Sequence, residues 1–188
     1  MAGNRRFVKG TLSGAAAVVE RRIDVAHRQK PFAMALACAD SRVPVEHVFD
    51  QSVGDIFVCR VAGNILAPSI LGSLEFAVSA FGSAALVVLC HERCGAIEST
   101  LALLENGGTA PGSIQSIVDA IEPAVRATKR GSLSEEEYVD AVTRTNARMV
   151  ARALAHQSAI LRKAVRARKL RIVPAHYDLD SGRVTLLA

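Results

Sequence analysis

The sequence contains no tryptophan, and only 4% of its residues are aromatic. Its longest apolar-rich stretch, residues 84–90, falls far short of the roughly 20 residues that a membrane-spanning helix needs. The basic N-terminal segment lacks the apolar core and the small-residue cleavage site of a secretory signal peptide. We therefore expect a cytoplasmic protein that does not bind membranes.

Cysteine is also scarce, with four residues in a chain of 188. This number would permit two disulfides, but in a cytosolic chain of this size metal binding or catalysis is the more typical use. Half of the residues are hydrophobic and 22% are charged, which provides for a packed core and excludes a disordered chain or a disulfide-dense mini-protein. Because no repeat or linker divides the chain, we expect a single domain over residues 1–188.

The positive charge is concentrated in one part of the chain. The formal net charge is +5, and residues 141–171 contain nine Lys and Arg residues but no acidic residue. Such a segment can bind nucleic acid or an anionic membrane, or can form the solvated face of a helix. Arg144, Arg148 and Arg152 recur at every fourth position, and neither tyrosine lies in this segment to stack on bases. We therefore predict a solvated helix face and no nucleic-acid partner.

Apolar runs and helix-like segments alternate along the first half of the chain. Buried strands are predicted over residues 32–37, 55–60 and 84–90. Helices are predicted over residues 13–27, 44–49 and 68–81, and Ser13 is the predicted N-cap of the first. The second half is predicted to contain helices over 94–105, over 114–129 and from Ser134 onwards, then a strand over 170–173 and a hairpin over 177–187. This order predicts an α/β fold: a mainly parallel central sheet whose strand order begins 2-1-3, flanked by helices, with a C-terminal antiparallel hairpin.

Three potential metal ligands follow the ends of predicted strands. Cys38 comes after the first strand, and His91 and Cys94 come after the third. In a doubly wound sheet of this order, the carboxyl ends of those two strands flank the point where functional sites form. Two thiolates and an imidazole suit a tetrahedral zinc ion, Zn2+. Because only three strong ligands are present, the fourth position would be open for chemistry.

Asp40 and Arg42 follow the first ligand closely enough to belong to the same site. A carboxylate beside the metal can orient a bound water, or it can occupy the open position itself. An arginine two residues later can bind that carboxylate in bidentate fashion and keep it ionised. We therefore predict Asp40 and Arg42 as catalytic residues. The other two cysteines, Cys59 and Cys90, fall inside apolar strands and are predicted to be core residues.

Three short motifs together resemble the β-class carbonic anhydrases. They are CADSR at 38–42, RVAGN at 60–64 and HERCG at 91–95, within a similarity that runs from Gln29 to about Glu98. The resemblance implies a zinc enzyme that interconverts carbon dioxide and bicarbonate and is built from dimers or multiples of dimers. It also implies that the two cysteines and the histidine bind zinc, that the Asp–Arg pair is catalytic, and that its aspartate binds zinc in a closed state.

The resemblance extends to five residues expected to bind substrate. Gln29 resembles a glutamine that contacts substrate across the subunit interface, and Phe57 and Phe76 resemble apolar residues of the carbon dioxide pocket. Gly63 and Gly95 lie within the matched motifs. Without the resemblance, the two phenylalanines would be read as core residues and the glutamine as an exposed residue at a helix end.

Two other functions remain open from the sequence. The same zinc site could hydrolyse carbon disulfide or carbonyl sulfide, since pocket width and lining decide between these substrates and carbon dioxide. Alternatively, the chain could be a non-catalytic binding module that zinc stabilises and that uses the basic segment at 141–171. The Asp40–Arg42 pair argues against the second alternative, because a structural zinc site needs no group to orient water.

Overall fold

A five-stranded sheet forms the centre of the computed structural model, which describes residues 1–13 and 18–188. Its strands are β1 (Ala33–Ala37), β2 (Ile56–Arg60), β3 (Ala85–His91), β4 (Arg171–Tyr177) and β5 (Val184–Leu186). The helices are α1 (Ala2–Val8), α2 (Val18–Val25), α3 (Val45–Val48), α4 (Pro68–Phe81), α5 (Gly95–Asn106), α6 (Gln115–Ala127), α7 (Glu135–Gln157) and α8 (Ala159–Arg166). Short 3-10 turns cover Ala62–Asn64 and Gly112–Ile114.

The strand order is β2-β1-β3-β4-β5. The first four strands are parallel, and β5 is antiparallel to β4. This arrangement confirms the predicted α/β fold, the 2-1-3 beginning of the strand order and the antiparallel C-terminal hairpin. All five residues of β1 are buried, as expected for an inner strand of a parallel sheet with both faces covered.

Side chains of β1 alternate between two apolar layers because successive strand residues point to opposite faces. Met34 and Leu36 pack in a cluster with residues of α4, α7 and α8. Ala35 packs on the other face with residues of α3 and of the C-terminal hairpin. A third cluster, formed by α5, α6 and α7, contains Cys38 and Cys94. The chain that follows the carboxyl end of β1 therefore enters a buried cluster of residues from α5, α6 and α7.

The remaining cysteines lie in the apolar layer, as predicted. Cys59 and Cys90 are free and buried in the cluster that includes Met34. Burial raises the pKa of the Cys90 thiol to about 12, so this side chain stays protonated and unreactive.

The start of α7 confirms the predicted helix signal at Ser134. The Ser134 hydroxyl accepts a hydrogen bond from the main-chain N–H of Glu137, and the Glu137 carboxylate accepts one from the N–H of Ser134. This reciprocal pair is a capping box, which satisfies two N–H groups at the helix start. It fixes the first turn of the longest helix, which packs against both β3 and β4.

Several local predictions differ from the structure. Helices α1 and α8 were not predicted, and β4 continues beyond its predicted end to Tyr177. Ser13, the predicted N-cap of a helix over 13–27, donates its main-chain N–H and its hydroxyl to Asp50, and its predicted capping role involves residues outside the described ones. The helical part of that prediction within the described residues is α2, and residues 14–17 lie outside them.

The basic segment is not simply a solvated helix face. Arg144 is half-buried and pairs with Asp140, and Arg148 donates a hydrogen bond to the carbonyl of Ala188. Only Arg152 of the three regularly spaced arginines is exposed as expected. In the described ranges, no helix combines the length and apolar character needed to cross a membrane.

Candidate metal centre

Three buried side chains converge at the carboxyl ends of β1 and β3. Cys38 follows β1, His91 is the last residue of β3, and Cys94 is the N-cap of α5. One ligand atom of each lies within 4.8 Å of the others, and the two sulfur atoms are 4.0 Å apart. The strand order places these residues together although 53 positions separate Cys38 from His91.

The spacing and chemistry of this cluster fit a zinc ion. Two sulfur ligands of a tetrahedral zinc at Zn–S distances of about 2.3 Å would lie about 3.8 Å apart, close to the 4.0 Å between Cys38 and Cys94. The Nδ1 atom of His91 lies 2.8 Å from the carbonyl oxygen of Glu92, which fixes the tautomer. Its Nε2 atom is buried and makes no hydrogen bond within the described residues. A buried lone pair without a partner is what a metal would satisfy.

The sulfur of Cys38 is surrounded by hydrogen-bond donors. The Cys94 thiol approaches it, and the main-chain N–H groups of Gly63 and Asp40 donate to it at 3.3 and 3.5 Å. These donors outweigh desolvation and hold the pKa of the Cys38 thiol well below its ordinary value. The pKa of Cys94 is raised, because its proton is held by Cys38 and its side chain is buried. The two main-chain donors favour the thiolate form of Cys38, which is the form that binds a metal.

Asp40 is bound by Arg42 through three hydrogen bonds. The guanidinium Nε donates to Oδ1 at 2.9 Å and Nη2 to Oδ2 at 2.7 Å, and the main-chain N–H of Arg42 donates to Oδ1 at 2.9 Å. The side-chain bonds to Arg42 hold the pKa of the Asp40 carboxyl well below its usual range. Oδ2 lies 3.8 Å from His91 Nε2. The carboxylate is thus ionised and held beside the three-residue cluster.

Two residues that sequence reasoning did not assign fix the geometry of this site. Arg60, at the end of β2, donates to the carbonyl oxygens of Cys38 and Asp40. Asn146 is buried in the middle of α7 and donates to the carbonyl of Gly63 at 2.8 Å. The RVAGN motif gave a signal for Arg60, but no local pattern marks Asn146, because its partner lies 83 residues away.

The two predicted glycines occupy different environments. Gly63 has a φ of +67°, and a Cβ atom added there would lie 2.8 Å from Ile121 Cδ1. Its place beside Cys38 therefore requires glycine. Gly95 is the exposed first residue of α5, and no heavy atom would lie within 4 Å of an added Cβ. Within the described chain, Gly95 has no such steric requirement, and its role in substrate binding stays a prediction.

Gln29, Phe57 and Phe76 do not join the metal ligands in the described chain. Gln29 is exposed and precedes β1, at the opposite end of the strand from Cys38. Phe57 and Phe76 pack with each other and with Phe81, with ring centroids 5.4 to 6.4 Å apart. Gln29 and Phe81 line the same pocket, so Gln29 lies on the side of the molecule where the aromatic cluster is.

The carbonic anhydrase family profile matches residues 33–184 of the chain. The chain is 36% identical over 184 residues to carbonic anhydrase 2 of Mycobacterium tuberculosis strain H37Rv, which covers 98% of this chain and 87% of that protein. It is also 36% identical over 186 residues to a carbonic anhydrase of Mycolicibacterium smegmatis, with 98% and 88% of the two chains covered.

Solved structures with the same fold include a β-carbonic anhydrase of Aspergillus fumigatus, with a TM-score of 0.81 and 25% identity over 92% of this chain and 84% of that one. Tetrameric β-carbonic anhydrases of Sordaria macrospora share the fold with a TM-score of 0.79 at 22% identity, over 93% and 90% of the two chains. The family profile, the near full-length relatives and the shared fold lead to one conclusion. The chain belongs to the β-class carbonic anhydrases.

Proposed function

We propose that this chain is a zinc-dependent enzyme that reversibly hydrates carbon dioxide to bicarbonate and a proton. The observation that carries the proposal is an ionised Asp40, held by Arg42 beside a buried Cys–His–Cys cluster. Relatives that match nearly the whole chain are carbonic anhydrases. We also propose that residues 1–188 form a single domain and that the protein is cytoplasmic.

The residues of the site have separate roles in the proposed reaction. Cys38, His91 and Cys94 would hold zinc, which when bound lowers the pKa of a water molecule towards neutrality. The Asp40 carboxylate accepts a hydrogen bond from the attacking water and orients it towards carbon dioxide. Arg42 keeps that carboxylate ionised and in place, and thereby prevents it from taking the fourth metal position.

A catalytic role explains Asp40 better than a structural role does. A structural zinc site normally has four protein ligands, whereas the cluster in the described residues contains three. The fourth group nearby, Asp40, is bound to Arg42. This arrangement leaves a position for water, which a non-catalytic binding module would not need.

We further propose that the protein forms homodimers or multiples of dimers. In the described chain β2 is an edge strand that pairs only with β1. An unpaired edge and exposed apolar side chains favour association, and Phe76 beside this edge is 55% exposed. A second subunit against this surface would cover the aromatic cluster and place Gln29 near the partner's metal ligands.

Activity and metal content, measured together, test the proposed function. Purified protein should contain about one zinc per chain, hydrate carbon dioxide and leave carbon disulfide largely unhydrolysed. Cys38→Ser, His91→Ala and Cys94→Ser should each lose zinc and activity together, because two ligands hold zinc poorly. Cys59→Ala is the matched control and should retain both.

Three outcomes would contradict this assignment. Full zinc occupancy in all three ligand variants would exclude the proposed metal site. Faster hydrolysis of carbon disulfide than hydration of carbon dioxide would assign the sulfur substrate instead. A fully active monomer at assay dilution, established by light scattering and kinetics on the same sample, would exclude the proposed dimer.

A further inference from the structure

Arg42 makes a hydrogen bond that its pairing with Asp40 does not explain. Its Nη2 atom, which binds Asp40 Oδ2, also donates to the main-chain carbonyl of Arg93 at 2.9 Å. Arg93 lies in the loop between His91 and Cys94 and has a φ of +48°. A non-glycine residue rarely adopts this left-handed conformation without support from its surroundings.

The support comes from the turn between β4 and β5. The Arg93 guanidinium binds both carboxylate oxygens of Asp180 at 2.9 and 3.0 Å and also binds Glu92 Oε1 at 3.0 Å. The same Glu92 oxygen accepts the main-chain N–H of Leu179 at 2.6 Å. Glu92, Arg93 and Asp180, which we term the latch, therefore join the ligand-bearing loop to the C-terminal hairpin.

We propose that Arg93 and Asp180 are positioning residues that keep Arg42 bound to Asp40 and so keep the fourth metal position accessible. This inference rests on the proposed function of the Asp40–Arg42 pair. The Arg42 side chain is 49% exposed, and an exposed ion pair is weak by itself. A third, fixed acceptor restricts where the guanidinium can go. Loss of the latch releases Arg42, and Asp40 is then free to bind the metal and close the site.

The latch connects the metal centre to a distant part of the chain. Asp180 lies 87 residues from Arg93 and its side chain is 77% exposed, so it contributes little to the core. Its effect on the site must therefore pass through Arg93 and Arg42. Two substitutions that act through the same chain of contacts are not additive, and this provides a test.

Azide binding to the cobalt-substituted protein tests the latch without an activity assay. Azide needs the fourth metal position, so its apparent affinity falls with the fraction of open sites. Asp180→Ala should weaken azide binding by about two- to fivefold, the range for losing one exposed ion pair. Arg93→Gly is compatible with the left-handed backbone but removes the guanidinium, and it should also weaken azide binding. Glu105→Ala, which breaks the comparably exposed pair with Arg130, is the matched control and should leave azide affinity unchanged.

The decisive comparison is made in the Arg42→Ala background. There the closed form already prevails, so Asp180→Ala should produce no further change in azide affinity. An Asp180→Ala variant that binds azide like the wild type would overturn the proposal, as would an equal loss in both backgrounds. If the wild type fails to hydrate carbon dioxide but the azide results hold, the proposed function fails and the latch stands.

Discussion

In the proposed mechanism, Asp40 and Arg42 determine whether the fourth metal position is open or closed. Arg42→Ala should retain zinc, because the three ligands remain, but should lose most of the hydration activity as the freed carboxylate closes the site. Asp40→Ala should also retain zinc and lose the group that orients the water, which typically costs on the order of 100-fold in rate. Zinc content and carbon dioxide hydration, measured on both variants across the neutral to alkaline range, check this prediction.

Two results would contradict the proposed role of this pair. Near-normal hydration rates in both variants would make the pair structural. Loss of zinc from Asp40→Ala would show that Asp40 is a metal ligand in the resting protein, contrary to its hydrogen bonds with the Arg42 guanidinium.

Gly63 combines a strained backbone with close contacts at the metal ligands. We predict that Gly63→Ala destabilises the fold by about 1–3 kcal/mol, because the φ of +67° is unfavourable for alanine and the new methyl group would meet Ile121. The substitution should also weaken zinc binding, since it displaces the N–H that donates to Cys38. Urea unfolding and competition with a zinc chelator measure the two effects.

Gly72 provides the control for this substitution. It lies within α4, and no heavy atom would lie within 4 Å of an added Cβ. Gly72→Ala should therefore leave zinc affinity unchanged and stabilise the helix by about 0.5–1 kcal/mol. Equal effects of the two substitutions would show that the contacts of Gly63 are unimportant.

The clustering of Cys38, His91 and Cys94 could be predicted from the sequence because their spacing carries the information. Cys38 directly follows an apolar strand, and His91 and Cys94 are close enough to share one ion. Asn146 and Arg93 could not be predicted in the same way. Asn146 reaches its acceptor by the packing of α7 over the turn at Gly63, and Arg93 depends on a carboxylate 87 residues away.

At the scale of elements, α7 and β4 are joined by a polar cluster. Asp140 Oδ1 lies 2.8 Å from His176 Nε2, and the other carboxylate oxygen accepts a hydrogen bond from Arg144. Burial raises the pKa of Asp140, but the interactions with His176 and Arg144 outweigh it, and the net pKa is lowered. A carboxyl with a lowered pKa in the folded state stabilises the fold above its unfolded pKa of about 4, and this stabilisation is lost as the pH falls through the folded value.

Asp140→Asn should therefore have an effect on stability that depends on pH. We expect the free energy of unfolding at pH 7 to fall by about 1 kcal/mol, a value that allows for the partial exposure of the pair. Below about pH 4, the variant and the wild type should become more similar in stability, because the wild-type carboxylate is then protonated. Urea unfolding at both pH values measures it. Asp119→Asn, on the exposed face of α6, is the control and should show no such pH dependence. If the stability difference between Asp140→Asn and the wild type were the same at both pH values, the assigned charge interaction would be wrong.

Elements with strong local signals were predicted closely, and the differences have physical causes. Strand β4 was expected to end at Val173, but it continues to Tyr177 through Pro174, which lacks the N–H that a strand residue normally donates. Pro174 is accommodated because β5 pairs only from Ala175 onwards, while the Pro174 carbonyl still accepts the N–H of Leu187 at 2.9 Å. Ser158 is the N-cap of α8: its hydroxyl accepts the N–H of Leu161 and donates to Glu75 of α4, so a tertiary contact helps to set where the helix starts.

At the scale of the whole molecule, the two ends of β1 carry different parts of the proposed site. Cys38 follows its carboxyl end, whereas Gln29 precedes its amino end. One chain therefore cannot supply both to the same metal ion, and in the proposed dimer each site would combine Cys38 of one subunit with Gln29 of the other. We predict that Gln29→Ala slows hydration without releasing zinc, as metal analysis and kinetics would show.

This separation allows two defective chains to restore each other. A Gln29→Ala chain keeps its zinc ligands, and a Cys38→Ser chain keeps its glutamine. After the two variants are mixed in equal amounts and exchange subunits, half of the dimers would contain one chain of each kind. One of the two sites in each mixed dimer would combine the intact Cys38 of one chain with the intact Gln29 of the other, so roughly a quarter of all sites would be complete. Hydration activity should rise accordingly above the mean of the two separate samples. Complementation of this kind would make the shared site a property of the pair of chains and of neither chain alone.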